Sequence, residues 1–319
     1  MSGAYHGRMQ MGRGDEWPRG LYPVLGLGVC AVSVAAPLIR AASAPPLSIA
    51  AYRLVLAAIP VLALALWLRR QEIAHIPKGD WQAILLSGLC LAGHFATWVA
   101  SLKYGTVASS VALVTTSPLF VAGFALVFSK ERTSRRMLLA IAVCTAGGII
   151  IAGVDARGGG SELWGDALAL TGAVFAAAYY ALGRQARSRV SALCYVGGVY
   201  PIAALALVGA AVATRQPLTG FNASTVGIFV LLALIPQILG HSALNWALGY
   251  LSAPSVAIAV LGEPVIATVL AALFLREMPG WERVAGGILI LAGVYLALRV
   301  ERGGMGDAAG VSLSSEASV

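Results

Sequence analysis

Charge is scarce in this sequence. Asp, Glu, Lys and Arg make up 11% of its 319 residues, against about 25% in a soluble globular domain. That shortage excludes an ordinary water-soluble fold. Cysteine is scarce as well. Cys30, Cys90, Cys144 and Cys194 lie in four different apolar runs, with no CxxC pair and no Cys/His cluster. Neither a disulfide framework nor a metal centre of familiar spacing is indicated, and the thiols read as small buried hydrophobes. HExxH, GxSxG and aspartate-rich runs are missing too, so the chain reads as no enzyme and calls for no metal and no cofactor. The apolar runs lack polar alternation, which argues against a transmembrane barrel.

What is present is hydrophobic residue, 59% of the chain, in runs long enough to cross a bilayer, for which about 20 residues suffice. Backbone groups inside lipid must be paired within the protein, so the expected fold is an all-α membrane bundle. The net charge of +8 does not indicate nucleic acid. The basic residues sit in short loops and at span ends instead of in one patch. The partners indicated are the lipid bilayer and a small-molecule substrate; the oligomeric state stays open.

Two stretches share one plan. Ser109–Glu131 and Ser252–Glu277 align at an offset of 146, with Pro118 on Pro264, Ala125 on Ala271, Phe128 on Phe274 and Glu131 on Glu277. The offset carries on to Gly147 and Gly293. A duplication follows, and the spans divide accordingly. After a polar tail, 1–20, spans are expected at Leu21–Ile39, Leu47–Leu68, Trp81–Leu102, Thr106–Phe128 and Met137–Gly153. A linker, 154–163, contains the Gly-rich loop Arg157–Ser161. Spans then recur at Trp164–Leu182, Ala192–Ala213, Val226–Tyr250, Pro254–Leu275 and Val284–Leu298, before a tail, 300–319, expected to be disordered. Ala42-Ser43-Ala44 resembles a signal-cleavage site. However, Pro45 follows directly and the first span has its place in the repeat.

Ten spans in two sets of five, 21–153 and 164–299, have a consequence of parity. Five is odd, so the second set enters the bilayer from the opposite side. This is an inverted-topology repeat, an architecture of secondary transporters. With the N-terminus inside, most of the 22 Lys and Arg residues fall on the inner side. The expectation is a multi-pass protein of the cell's inner (plasma) membrane with both termini cytoplasmic.

The chemistry rests on the few polar groups within spans, since a central charge costs about 2.5–3.5 kcal/mol on insertion scales. Glu263 is the only acid near the middle of a span, and Arg53 the only base clearly inside one. His94 shares a helical stripe with Trp98 on the third span. Gln237, His241 and Asn245 are spaced by four on the eighth. Trp246 lies next to them, and Thr116 and Ser117 adjoin Pro118 on the fourth. These side chains from both halves are candidates for substrate or proton binding in one central cavity, against an ordinary role as glue between helices. Glu263 is expected to be the proton-sensitive carboxylate, with the histidines relaying or binding. Arg53 is expected to contact a substrate carboxylate, against a snorkelling role at the span end. Pro118, Pro236 and Pro264 each free the carbonyl four residues earlier and mark candidate helix breaks.

These motifs resemble the EamA family of the drug/metabolite transporter superfamily. In the first copy the resemblance rests on Trp98, the run Leu102–Ser109, Pro118, Lys130-Glu131 and Gly147. In the second it rests on Gly240-His241-Ser242, Asn245–Ala253, Leu261–Pro264, Arg276-Glu277 and Gly293, with Tyr52-Arg53-Leu54 also similar. It spans residues 21–299. It implies ten helices, a central cavity and alternating access. The implied function is export of a small metabolite such as an amino acid, with protons as the candidate coupling ion. A multidrug exporter or a flippase for a lipid-linked substrate is the alternative on the same scaffold. The first copy departs from the second at Ser117, where the second has Glu263.

Overall fold

The computed structural model describes residues 18, 20–121, 135–158, 160–251, 256, 259–296 and 299. Ala125, Phe128, Glu131, Ser252, Ser255, residues 1–17 and residues 300–319 lie outside them. No strand occurs among the described residues. Among the described residues, seven helices are long and apolar enough to cross a membrane. They are α1 (Leu21–Ala41), α2 (Pro46–Ala74), α3 (Lys78–Tyr104), α5 (Arg135–Gly158, apolar over Leu139–Arg157), α6 (Gly160–Arg187), α7 (Ala192–Ala213) and α8 (Ala223–Ala247). Two shorter apolar helices are α4 (Val107–Val121) and α9 (Glu263–Leu275), and residues 281–296 form α10.

Local chemistry places the helix starts. Thr106 accepts a hydrogen bond from the Ser109 amide at the start of α4, and Asn222 accepts one from the Thr225 amide at the start of α8. Both satisfy amides that have no partner inside the helix. Pro46 begins α2, where a missing N–H costs nothing. The surface is strongly apolar: Trp67, Phe274 and Trp281 are each at least 75% exposed. Such a surface suits lipid and not water.

The packing follows the repeat. α3 packs on α6, as α1 packs on α8, and α2 packs on α7. α4 meets α9. The clearest signature is the crossing of α5 and α10. Cys144 Sγ donates to the Ile290 carbonyl at 3.2 Å, and these two residues stand 146 positions apart. A Cβ placed on Gly147 would lie 2.5 Å from the Gly286 carbonyl oxygen and 2.9 Å from the Ile290 amide. One placed on Gly293 would lie 2.8 Å from the Ala140 carbonyl oxygen and 2.7 Å from the Cys144 amide. Each contact has its mate at the same offset. Only glycine permits such backbone approach, a device of helix pairs in membranes. Position 144 meets 290 and 293, 147 meets 286 and 290, and 151 meets 286. The two helices therefore run antiparallel.

Polar ties close both ends of the bundle. At one end Glu277 accepts from the Val107 amide at 2.6 Å and lies 3.5 Å from Arg40 Nε. Arg40 donates to the Leu102 carbonyl, and Lys103 to that of Ala42. Nearby, Arg283 of α10 bridges Asp155 of α5 and Glu162 of α6, at 2.6 and 2.8 Å. At the other end Arg187 donates to the Asn245 carbonyl at 3.1 Å and to that of Val190. Arg189 forms a two-point pair with Asp80, and Glu72 accepts from the Ser191 amide.

Candidate functional site

The site is built on two interruptions. Residues 107–114 of α4 are helical, Thr115 and Thr116 form a turn, and helix resumes at Ser117. In the second half Leu261 and Gly262 form a turn, and α9 begins at Glu263. Both turns precede a proline, Pro118 or Pro264, which has no N–H to continue the previous helix. The hydrogen bonding matches as well. The Thr116 amide donates to Leu113 at 3.1 Å and the Gly262 amide to Ala259 at 3.2 Å, and both partners are related by 146. The two prolines thus sit in the first turn of a new helical piece, where proline is well tolerated.

These interruptions face a common cavity of about 50 Å³. Val114, Thr115 and Ser117 line it from the first break, and Val260 and Glu263 from the second. Glu263 lies in the first turn of α9, where the helix dipole favours a negative group. The rest of the wall is aromatic and imidazole. His94 is 8% exposed, donates a 3.0 Å hydrogen bond from Nδ1 to the Gly172 carbonyl, and stacks on Trp98 at 5.7 Å. Because that partner is a carbonyl, Nδ1 carries the proton. His241 faces the cavity from α8, and its Nδ1 has no partner. Trp98 Nε1 is also unpaired.

Behind this wall lies Arg53, wholly buried at 0% exposure. It does not snorkel. Its Nε donates to Gln237 Oε1 at 2.8 Å, and its guanidinium sits 4.1 Å above the centre of the Phe95 ring. Phe95 meets His241 edge-on at 5.5 Å. Gln237 belongs to a π-helical stretch, Ala233–His241, with Pro236 inside it. Pro236 lacks the amide that an α-helix needs there, and a wider turn is a common accommodation, often found at functional sites.

Not every expected residue reaches the cavity. Asn245 is engaged elsewhere. Its Oδ1 accepts from Tyr179 and its Nδ2 donates to the His241 carbonyl, both near 2.9 Å. Trp246 packs on Tyr250, and Thr116 turns back to the Leu113 carbonyl. Two cavity residues, Tyr179 and Tyr180, are absent from the expected set. A tyrosine in an apolar run reads first as a membrane-interface residue. The only available signal was the adjacent pair itself, near the end of the span expected at Trp164–Leu182.

The comparisons with known proteins agree with this geometry. Residues 21–153 and 163–299 each match the profile of the EamA-like transporter family. An uncharacterized transporter of Archaeoglobus fulgidus is 27% identical over 258 residues, covering 79% of this chain and 87% of its own. A probable amino-acid metabolite efflux pump of Salmonella typhimurium is 29% identical over 265 residues, covering 79% and 85%. A crystal structure at 19% identity shares the fold, with a TM-score of 0.62 over 87% of this chain and 96% of that one.

Proposed function

The chain belongs to the EamA-like transporter family, and from that premise we propose that it is a secondary transporter exporting a small metabolite, an amino acid or a close analogue, by alternating access. The observation that carries this reading is the pair of helix breaks at Thr115-Thr116 and Leu261-Gly262, equivalent in the repeat and facing one cavity. Interrupted helices at matching positions of two repeats are the recurring frame of a transporter binding site. They leave free backbone groups beside the cargo and give the bundle a place to rock.

The reading includes ten spans in two inverted sets of five, 21–153 and 164–299, with both termini cytoplasmic in the inner membrane. The antiparallel crossing of α5 and α10 supports inversion. Helices related by the offset of 146 run in opposite directions and touch through related residues. The ties at the two ends have matching form, Arg40 to Leu102 and Arg187 to Asn245. In this account they loosen by turns as the cavity opens to one side and then the other.

Glu263 is assigned the role of the cavity's ionisable carboxylate, with protons as the coupling ion. His94 and His241 flank the path. A small cavity with Tyr and Trp walls suits a small metabolite better than a lipid-linked or bulky drug cargo, the alternative on this scaffold. The name of the Salmonella relative points to the same substrate class.

The test is uptake of mixed labelled amino acids into inside-out vesicles carrying the protein, with an imposed proton gradient. Accumulation that collapses with an uncoupler is expected. No accumulation, beside a control transporter that works, removes amino acids and proton coupling from the proposal.

A further inference from the structure

Away from the cavity, where the two repeats join, three acids surround one arginine. Asp155 lies near the end of the first repeat, on α5. Glu162 and Asp166 lie near the start of the second, on α6, and Arg283 comes from α10. Arg283 donates from Nε to Asp155 Oδ1 at 2.7 Å and from Nη2 to Glu162 Oε2 at 2.8 Å. Asp166 is only 5% exposed, and among the described residues no Lys, Arg or His nitrogen pairs with it. Instead its side chain reaches that of Asp155 within hydrogen-bonding range. Asp155 Oδ2 and Asp166 Oδ2 are both buried, and neither has a donor.

Two ionised carboxylates have only acceptors to offer each other. Buried side by side they repel strongly, and two carboxyl groups sharing one site do not both ionise. A donor is therefore missing between them. The charged neighbours do not supply it. Arg157 on α5 is exposed, and the Glu282 carboxylate on α10 lies against Gly280. Lys103 at the end of α3 donates to the Ala42 carbonyl, and α4 carries no charge over Val107–Val121. Among the described residues no three His, Cys, Asp or Glu side chains are grouped to hold a metal ion. A single proton is the donor that fits.

We infer that Asp155 and Asp166 hold one proton between them, in a proton-binding site separate from the cavity that fastens the first repeat to the second. Arg283 keeps Asp155 in its ionised form, so Asp166 is the donor and Asp155 the acceptor. When the proton leaves, two negative groups meet beside an arginine that already holds Glu162. This end of the bundle then loosens. The site depends neither on Glu263 nor on the nature of the cargo.

The experiment is infrared spectroscopy of the purified full-length protein near neutral pH. The difference spectrum of wild type minus Asp166→Asn is expected to show the carbonyl band of a protonated carboxyl group. Asp155→Asn is expected to remove the same band, because the proton belongs to the pair. Glu263 is present in all three proteins and cancels. Thermal melting in sodium-free buffer gives the second readout. The folded protein keeps a proton that the unfolded chain has released, so stability falls as pH rises. The wild-type midpoint is expected to drop by about 2–4 °C between about pH 6 and about pH 9. Asp166→Asn, whose Nδ2 takes the proton's place, is expected to drop less and to melt above the wild type at the alkaline end. A difference spectrum without the band overturns the site, as does a band that survives Asp155→Asn. An equal drop in wild type and Asp166→Asn overturns it too. A wild-type midpoint that follows sodium concentration and not pH assigns the gap to a metal cation and overturns the proton.

Discussion

Glu263→Gln is expected to insert and melt like the wild-type protein and to lose transport at every pH tested. The substitution keeps the size and shape of the side chain at the first turn of α9. It removes the only negative charge among the cavity residues. A hydrogen bond to a charged group is worth about 1.5–3 kcal/mol, so affinity for a cationic group or proton falls by about 10- to 100-fold. Proton exchange at this position ends altogether, because an amide does not titrate. Export measured in vesicles over a range of pH, next to thermal melting, separates the two effects. Full transport by Glu263→Gln at all pH values removes this residue from the mechanism. Loss of both transport and stability assigns it to structure instead.

Arg283→Met is the second large effect, and it concerns stability. Asp155 is fully buried and its side chain reaches Arg283 Nε at 2.7 Å. The same guanidinium holds Glu162, and Asp166 stands close by with one oxygen unpaired. A lone arginine thus joins α5, α6 and α10 through acidic partners. Its removal leaves a buried carboxylate with no counter-charge, a loss of about 3–5 kcal/mol for a buried pair broken on one side. Detergent-solubilised Arg283→Met is expected to melt well below the wild-type protein. Arg283→Met combined with Asp155→Asn is expected to recover part of that loss, because contacting residues are not additive. An unchanged midpoint for Arg283→Met means that the pair adds nothing to the folded state.

The repeat was legible in the sequence because its markers are backbone-determined. Pro118 and Pro264 cannot continue a helix wherever they fall, and both breaks occur beside them. Gly147 and Gly293 are likewise read from their lack of a side chain, and both lie at the α5–α10 crossing. Glu263, His94, His241, Trp98 and Ser117, each singled out by polarity or position in its span, line the cavity. The partners of Arg53 were not legible. Gln237 stands 184 positions away, and no local pattern states which spans will touch.

The stripe on the eighth span was read too simply. Gln237, His241 and Asn245 at steps of four suggest one face of an α-helix. The π-helical turn over Ala233–His241 alters that phase. Gln237 then meets Arg53, His241 meets the cavity, and Asn245 meets Tyr179. The spacing held a clue. His94 and Trp98 differ by four positions, whereas His241 and Trp246 differ by five. The additional residue falls after the π-helical stretch, in the α-helical piece Ser242–Ala247, and Trp246 ends against Tyr250 and not in the cavity.

The central claim is that one cavity, at the two helix breaks, opens alternately to the two sides of the membrane. Its most direct measurement needs no knowledge of the cargo. Ser117, on the cavity wall at the first break, is replaced by cysteine in a protein whose four native cysteines are serine. The thiol is then challenged with a small membrane-impermeant methanethiosulfonate, in whole cells and in inside-out vesicles. The account predicts modification from both faces. Modification from one face only, with the protein folded and inserted in both preparations, contradicts it.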